Sequence, residues 1–383
     1  MGLTNGEVSL YVHLPWCTSK CPYCDFNSYR IRSQLKEKYY VDSLLKDLEH
    51  EIIFSGVDRI GSIYFGGGTP SLFSGYSIRR LIDGISKRVH LKPYAEITLE
   101  MNPESADEKN LQEYRLAGIN RISIGMQSFS DDVLSALERP HSASDGFDAF
   151  LSVRKAGFEN INIDLMYGAP QGTTRSDLSD LKTAISLQPE HISWYQLTIE
   201  KGTKFAIRAP KLPNEDDIYK SFFNGSNLLS ESGYQHYEIS AHALSGKISE
   251  HNFHYWNYGD YVGIGAGAHG KITIDGKIYR SEKEKHPDFY MRKCFEGGNS
   301  VVARTPVMES DALIEFIINA TRLVNGFDVN DLYQKTGIEP GLDCVQRKLQ
   351  RAVKKGFLKR ESNFFKPTEI GLRFLNDLQL IFL

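Results

Sequence analysis

From about position 8 to 197, short β-rich runs alternate with segments whose apolar residues recur at helical spacing. The runs at 9–13, 62–65, 96–101, 121–126, 160–165 and 192–197 predict strands. Between the first two, Tyr39, Leu44, Leu45, Leu48, Ile52 and Ile53 predict a long helix with a charged outer face. Further helices are predicted over 78–89, 108–117, 132–156 and 176–187. Gly118 and Gly157, each after an alanine, sit where helix C-caps belong. Strand followed by helix, repeated six times, predicts an α/β fold with a parallel sheet and right-handed crossovers. Six units suit a partial (β/α)6 barrel, whose functional residues would gather where strands end and loops begin.

After about Glu200 the pattern changes. A helix is predicted over 216–232 and a strand over 237–241. An aromatic, His-rich and Gly-rich stretch fills 251–270, an amphipathic helix 309–322 and a β-hairpin 357–366. That order suits a small C-terminal α/β, winged-helix-like domain. The expected division is 1–235 for the barrel, 236–300 for a connecting segment and 301–383 for the C-terminal domain.

Composition narrows the function classes. A net charge of −3 with no basic stripe argues against a nucleic-acid partner. No apolar stretch is long enough to span a bilayer, and the first residues lack the pattern of a signal peptide. The expectation is a cytoplasmic protein with at most peripheral membrane contact. The cysteines at 17, 21, 24, 294 and 344 are an odd set with one tight cluster, a poor framework for disulfides and a better one for metal.

Cys17, Cys21 and Cys24 have the spacing CxxxCxxC, in a loop after the first predicted strand. Three thiolates can hold three irons of a [4Fe–4S] cubane and leave the fourth without a protein ligand. A structural zinc site wants a fourth ligand, and no further cysteine follows closely. An open iron could chelate the amino and carboxylate groups of S-adenosylmethionine (SAM). The alternative is a trio of buried or zinc-binding cysteines. Cys294 and Cys344 sit in segments without ligand spacing.

CxxxCxxC with an aromatic, Tyr23, before its third cysteine resembles the radical SAM signature. Its flanks, YVHLPWC and CPYCDFNSY, are similar to the branch that contains oxygen-independent coproporphyrinogen III dehydrogenase and the HemW haem chaperones. The resemblance covers nearly the whole chain. It implies SAM contacts at Tyr11, Tyr23, Gly67, Gly68, Thr69, Glu100, Gln127, Arg139 and Asp164, several of them at the ends of successive predicted strands. Three glycines in a row, Gly66 to Gly68, also allow close approach of backbone to a ligand. Arg139 could pair with a carboxylate through two hydrogen bonds.

His251-Asn252-Phe253-His254-Tyr255-Trp256 packs two imidazoles among aromatics, which suits a flat macrocycle whose iron wants an axial nitrogen. An aromatic core turn with structural histidines would read the same way. The resemblance assigns the histidine of HNxxYW, here His251, to haem. His254 falls at a variable position. The run Gly263 to Gly270 looks like a dinucleotide fingerprint but lacks a preceding βαβ unit, so a tight backbone approach near the cluster or SAM is expected, with His269 unassigned.

Within the branch, Phe26 stands where the dehydrogenase has a further cysteine, and that enzyme's N-terminal arm is not found before Tyr11. Ser249 stands where similar proteins often have cysteine. The resemblance therefore implies a haem chaperone. It would bind haem, a [4Fe–4S] cluster and SAM and deliver haem to apo-haem proteins, respiratory ones among them; it also allows a homodimer. The alternative from the enzyme class is oxidative decarboxylation of coproporphyrinogen III.

Overall fold

Along the strand β1 (Val8–Leu14), Leu10, Val12 and Leu14 enter a hydrophobic core, while Tyr11 and His13 at alternate positions line a cavity. The same partition repeats in β2 (Arg59–Gly67), β3 (His90–Met101), β4 (Arg121–Gln127), β5 (Ile161–Tyr167) and β6 (His191–Gln196). Ile63, Phe65, Ile97, Leu99, Ile122, Ile124, Ile163, Leu165, Ile192 and Trp194 join one core with the crossover helices. Tyr64, Glu100, Ser123, Asp164 and Ser193 point the other way, into a cavity. Both faces are covered, so the strands are buried almost throughout, as parallel strands under helices usually are. The structure, a computed structural model, describes residues 7–296 and 299–383.

The six strands run parallel in chain order, as predicted. They are half of a larger sheet. After them come β7 (Gln235–Glu238), β8 (Ala241–Ala243), β9 (Tyr261–Ile264), β10 (His269–Ile274), β11 (Lys277–Lys283) and β12 (Val301–Pro306). The order of this twelve-stranded sheet is β12-β11-β10-β9-β1-β2-β3-β4-β5-β6-β8-β7. β9 lies parallel beside β1, and the strands beyond it run antiparallel. The segment 236–300 thus extends the barrel wall at both edges. The strand expected at 237–241 is a two-strand hairpin turning at Ile239 and Ser240.

The expected helix 132–156 is two helices, Asp131–Ala136 and Ala143–Lys155. Pro140 disfavours helical geometry at the residue before it, and Arg139 stands there. The chain leaves the helix, and Arg139 turns inward. Gln127, at the end of β4, takes a left-handed φ of 68°, which redirects the chain after the strand.

The second core holds Ala312, Phe316, Phe327, Leu349, Phe365 and Phe382, under helices and a three-stranded sheet. Its hairpin, Leu358–Glu361 with Phe364–Pro367, falls where expected. Tyr258 and Ile278 from the large sheet's side join this core. β12 belongs to the large sheet, so the packing divides near Val307, a few residues past 301. No helix among the described residues is long and apolar enough to cross a membrane.

Candidate functional site

The loop after β1 carries the three cysteines, all with free thiols, to one end of a cavity of about 400 Å³. Tyr23, Gly67, Gly68, Thr69, Glu100, Gln127, Arg139 and Asp164 line the same cavity. Residues from six sequence segments are thus brought together, most of them at the ends of the parallel strands. Burial pushes the Cys17 and Cys24 thiols above their ordinary range, so as thiolates they need a cation close by. Among the described residues, no three His, Cys, Asp or Glu side chains converge on a single ion. A zinc site needs such convergence; a cubane does not, because each thiolate binds a different iron. The donor set fits the cluster.

Arg139 reaches across from the helix break. Its Nη1 donates to Cys21 Sγ at 3.3 Å, and its Nη2 to Asn102 Oδ1 at 2.8 Å and the Gly125 carbonyl at 3.0 Å. The buried Nε has no partner. With Nη2 committed twice, a two-pronged grip on a ligand carboxylate is not the arrangement seen; Nη1 and Nε are what remain. Gln127 Oε1 accepts from the Tyr195 hydroxyl at 2.6 Å. Asp164 accepts from Ser123 at 2.9 Å and Asn162 at 2.8 Å, and burial raises its pKa. Glu100 accepts from Tyr64 OH at 2.9 Å and from Gly67 N at 3.2 Å. Burial raises Glu100 to about 7, against the pull of those hydrogen bonds.

The glycine run serves packing as well as the cavity. A Cβ on Gly67, which has φ 116°, would meet the His13 ring at 2.5 Å, and one on Gly68 would meet the Trp16 backbone at 2.5 Å. The strand-end loop is laid directly on the cysteine loop, and only glycine permits that approach.

A second cavity, of about 870 Å³, adjoins the first. Tyr64, Gly67, Glu100 and Asn252 line both. Tyr11 belongs to this second cavity and not to the cysteine cavity; its hydroxyl donates to His13 Nδ1 at 2.9 Å. Phe26, Tyr29, Tyr255, Trp256 and Tyr261 add aromatic wall. The segment after residue 249 is a short helix, Glu250–Trp256, not a turn. His251, Asn252, Tyr255 and Trp256 stand on one face of it, toward the cavity. His254 faces away, and its Nε2 donates to the Asp260 carbonyl at 2.7 Å. His269 is exposed at the cavity's edge.

His251 is buried, and burial lowers its pKa to about 3, so its ring is neutral at ordinary pH. Its Nδ1 lies 3.0 Å from Ser62 Oγ, which lies 2.9 Å from Ser9 Oγ. With Nδ1 donating to Ser62, the lone pair is left on Nε2. The helix itself is held by Glu96, whose carboxylate accepts from Ser249 Oγ, Glu250 N and His251 N at 3.0–3.1 Å. From the other side, Asn319 of the C-terminal domain donates to the Tyr255 carbonyl at 3.2 Å. Ser62, Tyr64, Glu96 and Tyr195 were missed in the sequence. Their signal was a polar residue alternating with core residues on a buried strand.

The glycine run 263–270 does not touch the cysteine cavity. Gly265 packs on the backbone of His13 and Gly267 on Asn27. The expected tight approach is there, but it seats β9 against β1 and the cysteine loop. Of the run, Gly267 and His269 border the second cavity.

Comparison with known proteins gives the following. A family model described as the radical SAM superfamily matches residues 11–181, and one described as the HemN C-terminal domain matches residues 308–374. The heme chaperone HemW of Escherichia coli (strain K12) is 41% identical over 377 residues, covering 98% of each chain. HemW of Haemophilus influenzae is 41% identical over 381 residues, again covering 98% of each. The solved structure of coproporphyrinogen III oxidase (HemN) from Escherichia coli, a radical SAM enzyme, matches with TM-score 0.83 at 23% identity. It covers 98% of this chain and 90% of that one, and the likeness is one of fold.

Proposed function

The chain belongs to the radical SAM superfamily, in the branch of the HemW heme chaperones, and on that premise we propose that it binds haem beside a SAM-bearing [4Fe–4S] cluster and passes the haem to apo-proteins. The observation that carries this reading is His251. A neutral imidazole with Nδ1 tied to Ser62 and Nε2 free, in the wall of a large aromatic cavity, is what an axial haem ligand requires. The cavity is at the upper end of the size range for small-molecule sites, as a macrocycle demands.

Cys17, Cys21 and Cys24 would hold three irons and leave the fourth to SAM. When bound, the cluster supplies a single electron to its SAM ligand. Around it, Gly67, Gly68 and Thr69 offer backbone at close range, and Glu100 and Asp164 are acceptors for cationic or hydroxyl groups. Tyr23, Gln127 and Arg139 close the remaining sides. Through its hydrogen bond to Cys21 Sγ, Arg139 would help to hold that thiolate for the cluster. Tyr11 we assign to the wall of the haem cavity. The proposal places the protein's work in the cytoplasm, with respiratory apo-haem proteins as acceptors, as the family resemblance implies.

Anaerobic haemin titration of the wild type and His251→Ala tests the reading. The wild type should show a Soret feature that the variant lacks; equal spectra and affinities would remove His251 from this role. An anaerobic assay with reductant, SAM and coproporphyrinogen III is the second arm. Formation of protoporphyrinogen IX would make the protein a dehydrogenase and overturn a chaperone-only reading.

A further inference from the structure

Among the described residues, three imidazoles line the second cavity: His13, His251 and His269. Both nitrogens of His13 are engaged, Nδ1 with the Tyr11 hydroxyl and Nε2 with the Asn27 carbonyl, each at 2.9 Å. His269 is exposed, and its ring has no hydrogen-bond partner among the described residues. Its backbone, by contrast, is fixed. Ala268 N donates to the Gly265 carbonyl at 3.0 Å, and the Ala268 carbonyl accepts from Lys283 N at 3.0 Å. His269 itself pairs with Glu282 across β10 and β11. A Cβ on Gly263 would run into the His269 carbonyl oxygen, so glycine there lets β10 start close against β9. Tyr64, Tyr11 and Gly263 are neighbours in register across β2, β1 and β9, and His269 begins the next strand. His251 stands over β2, its ring 5.1 Å from that of Tyr64. Neighbouring strands lie about 4.8 Å apart, so the strand beneath His251 and the strand that carries His269 are separated by roughly 14 Å along the sheet. That span leaves room for an iron with one imidazole on either side.

We infer that His269 is the second axial ligand of the haem, opposite His251, and the ligand given up when haem is passed on. The inference rests on the proposed haem site at His251. A haem iron held by one protein nitrogen has a sixth position that a second imidazole can fill. The two histidines differ as a carrier requires. His251 is buried and backed by Ser62, which keeps it oriented as a ligand. His269 is exposed at the cavity's edge with nothing behind its ring, so it is the easier ligand to displace. A donor on an acceptor protein meets that side first. Its lone pair forms the new bond to iron as the bond to His269 breaks, with the iron's oxidation state unchanged. His251 holds the haem in the meantime.

The test is electron paramagnetic resonance and absorbance of the full chain, cluster-reconstituted under anaerobic conditions and loaded with stoichiometric haemin. The wild type should show the low-spin ferric signal of two imidazole ligands. His269→Ala should keep its haem through His251 but turn high-spin, and added imidazole should restore the low-spin signal by filling the vacated position. His254→Ala should stay low-spin, because that ring is tied to the Asp260 carbonyl, away from the cavity. Haem should also pass to apomyoglobin several-fold faster from His269→Ala than from the wild type. A high-spin wild type, a low-spin His269→Ala without imidazole, or no response of that variant to imidazole overturns the assignment. Equal transfer rates overturn the role in release. All of these outcomes leave haem binding at His251 standing; a wild type that takes up no haem overturns both.

Discussion

Ser62 Oγ and His251 Nδ1 stand 3.0 Å apart, joined across 189 residues of chain. The serine is on the inner face of β2, and the histidine comes from a helix that follows β8. This contact settles which imidazole nitrogen faces the cavity. Ser62→Ala should therefore weaken haemin binding by about tenfold, as loss of a partner behind a metal-binding histidine does. Absorbance titration checks it, with an unchanged circular dichroism spectrum as the control for folding.

The low pKa of His251 also bears on stability. Its folded value of about 3 lies below the ordinary 6.5, so the folded state binds fewer protons than the unfolded chain between those values. The stability it allows is complete above pH 6.5 and is lost as pH falls toward 3. In that window the wild type should lose up to about 1.4 kcal/mol per pH unit relative to His251→Gln. Urea unfolding of both proteins at pH 7.5, 6 and 5 measures the gap. A gap that stays constant would show that the ring is not held neutral.

Glu96 lies outside both cavities yet governs one of them. Glu96→Ala removes the acceptor for Ser249, Glu250 and His251 and the carboxylate nearest Arg121, which is itself buried. Stability should fall by about 2 kcal/mol or more, the cost of an uncapped helix start plus buried donors left unpaired. Haemin affinity should fall with it. Urea unfolding and haemin titration on the same sample test both.

Each of Cys17→Ser, Cys21→Ser and Cys24→Ser should reduce iron after anaerobic reconstitution from about four per chain to less than one, since a cubane needs all three thiolates. Cys294→Ser and Cys344→Ser should leave iron unchanged. Cys294 is buried in the barrel core and Cys344 is exposed on the C-terminal domain, both remote from the cavity lining. Iron and acid-labile sulfide analysis decides it.

Much of this was written locally in the chain. Short β-rich runs separated by helical spacing marked β1 to β6, because strands of a covered parallel sheet are short and rich in β-branched and apolar residues. CxxxCxxC marked the loop that meets the first cavity, because residues that share one loop are close in sequence. HNxxYW marked the helix face that borders the second cavity, since i, i+1, i+4 and i+5 fall together on a helix.

What tertiary structure alone decided is where distant segments meet. It placed β9 beside β1 and so drew the stretch 236–300 into the barrel wall. It split the predicted cofactor residues between two cavities, sending Tyr11 to the one that holds His251. It turned His254 away and set Ser62, Tyr64 and Glu96 around His251. Strand order and register set these contacts, and both are chosen by packing over the whole sheet, where a shift of one residue would exchange its inner and outer faces.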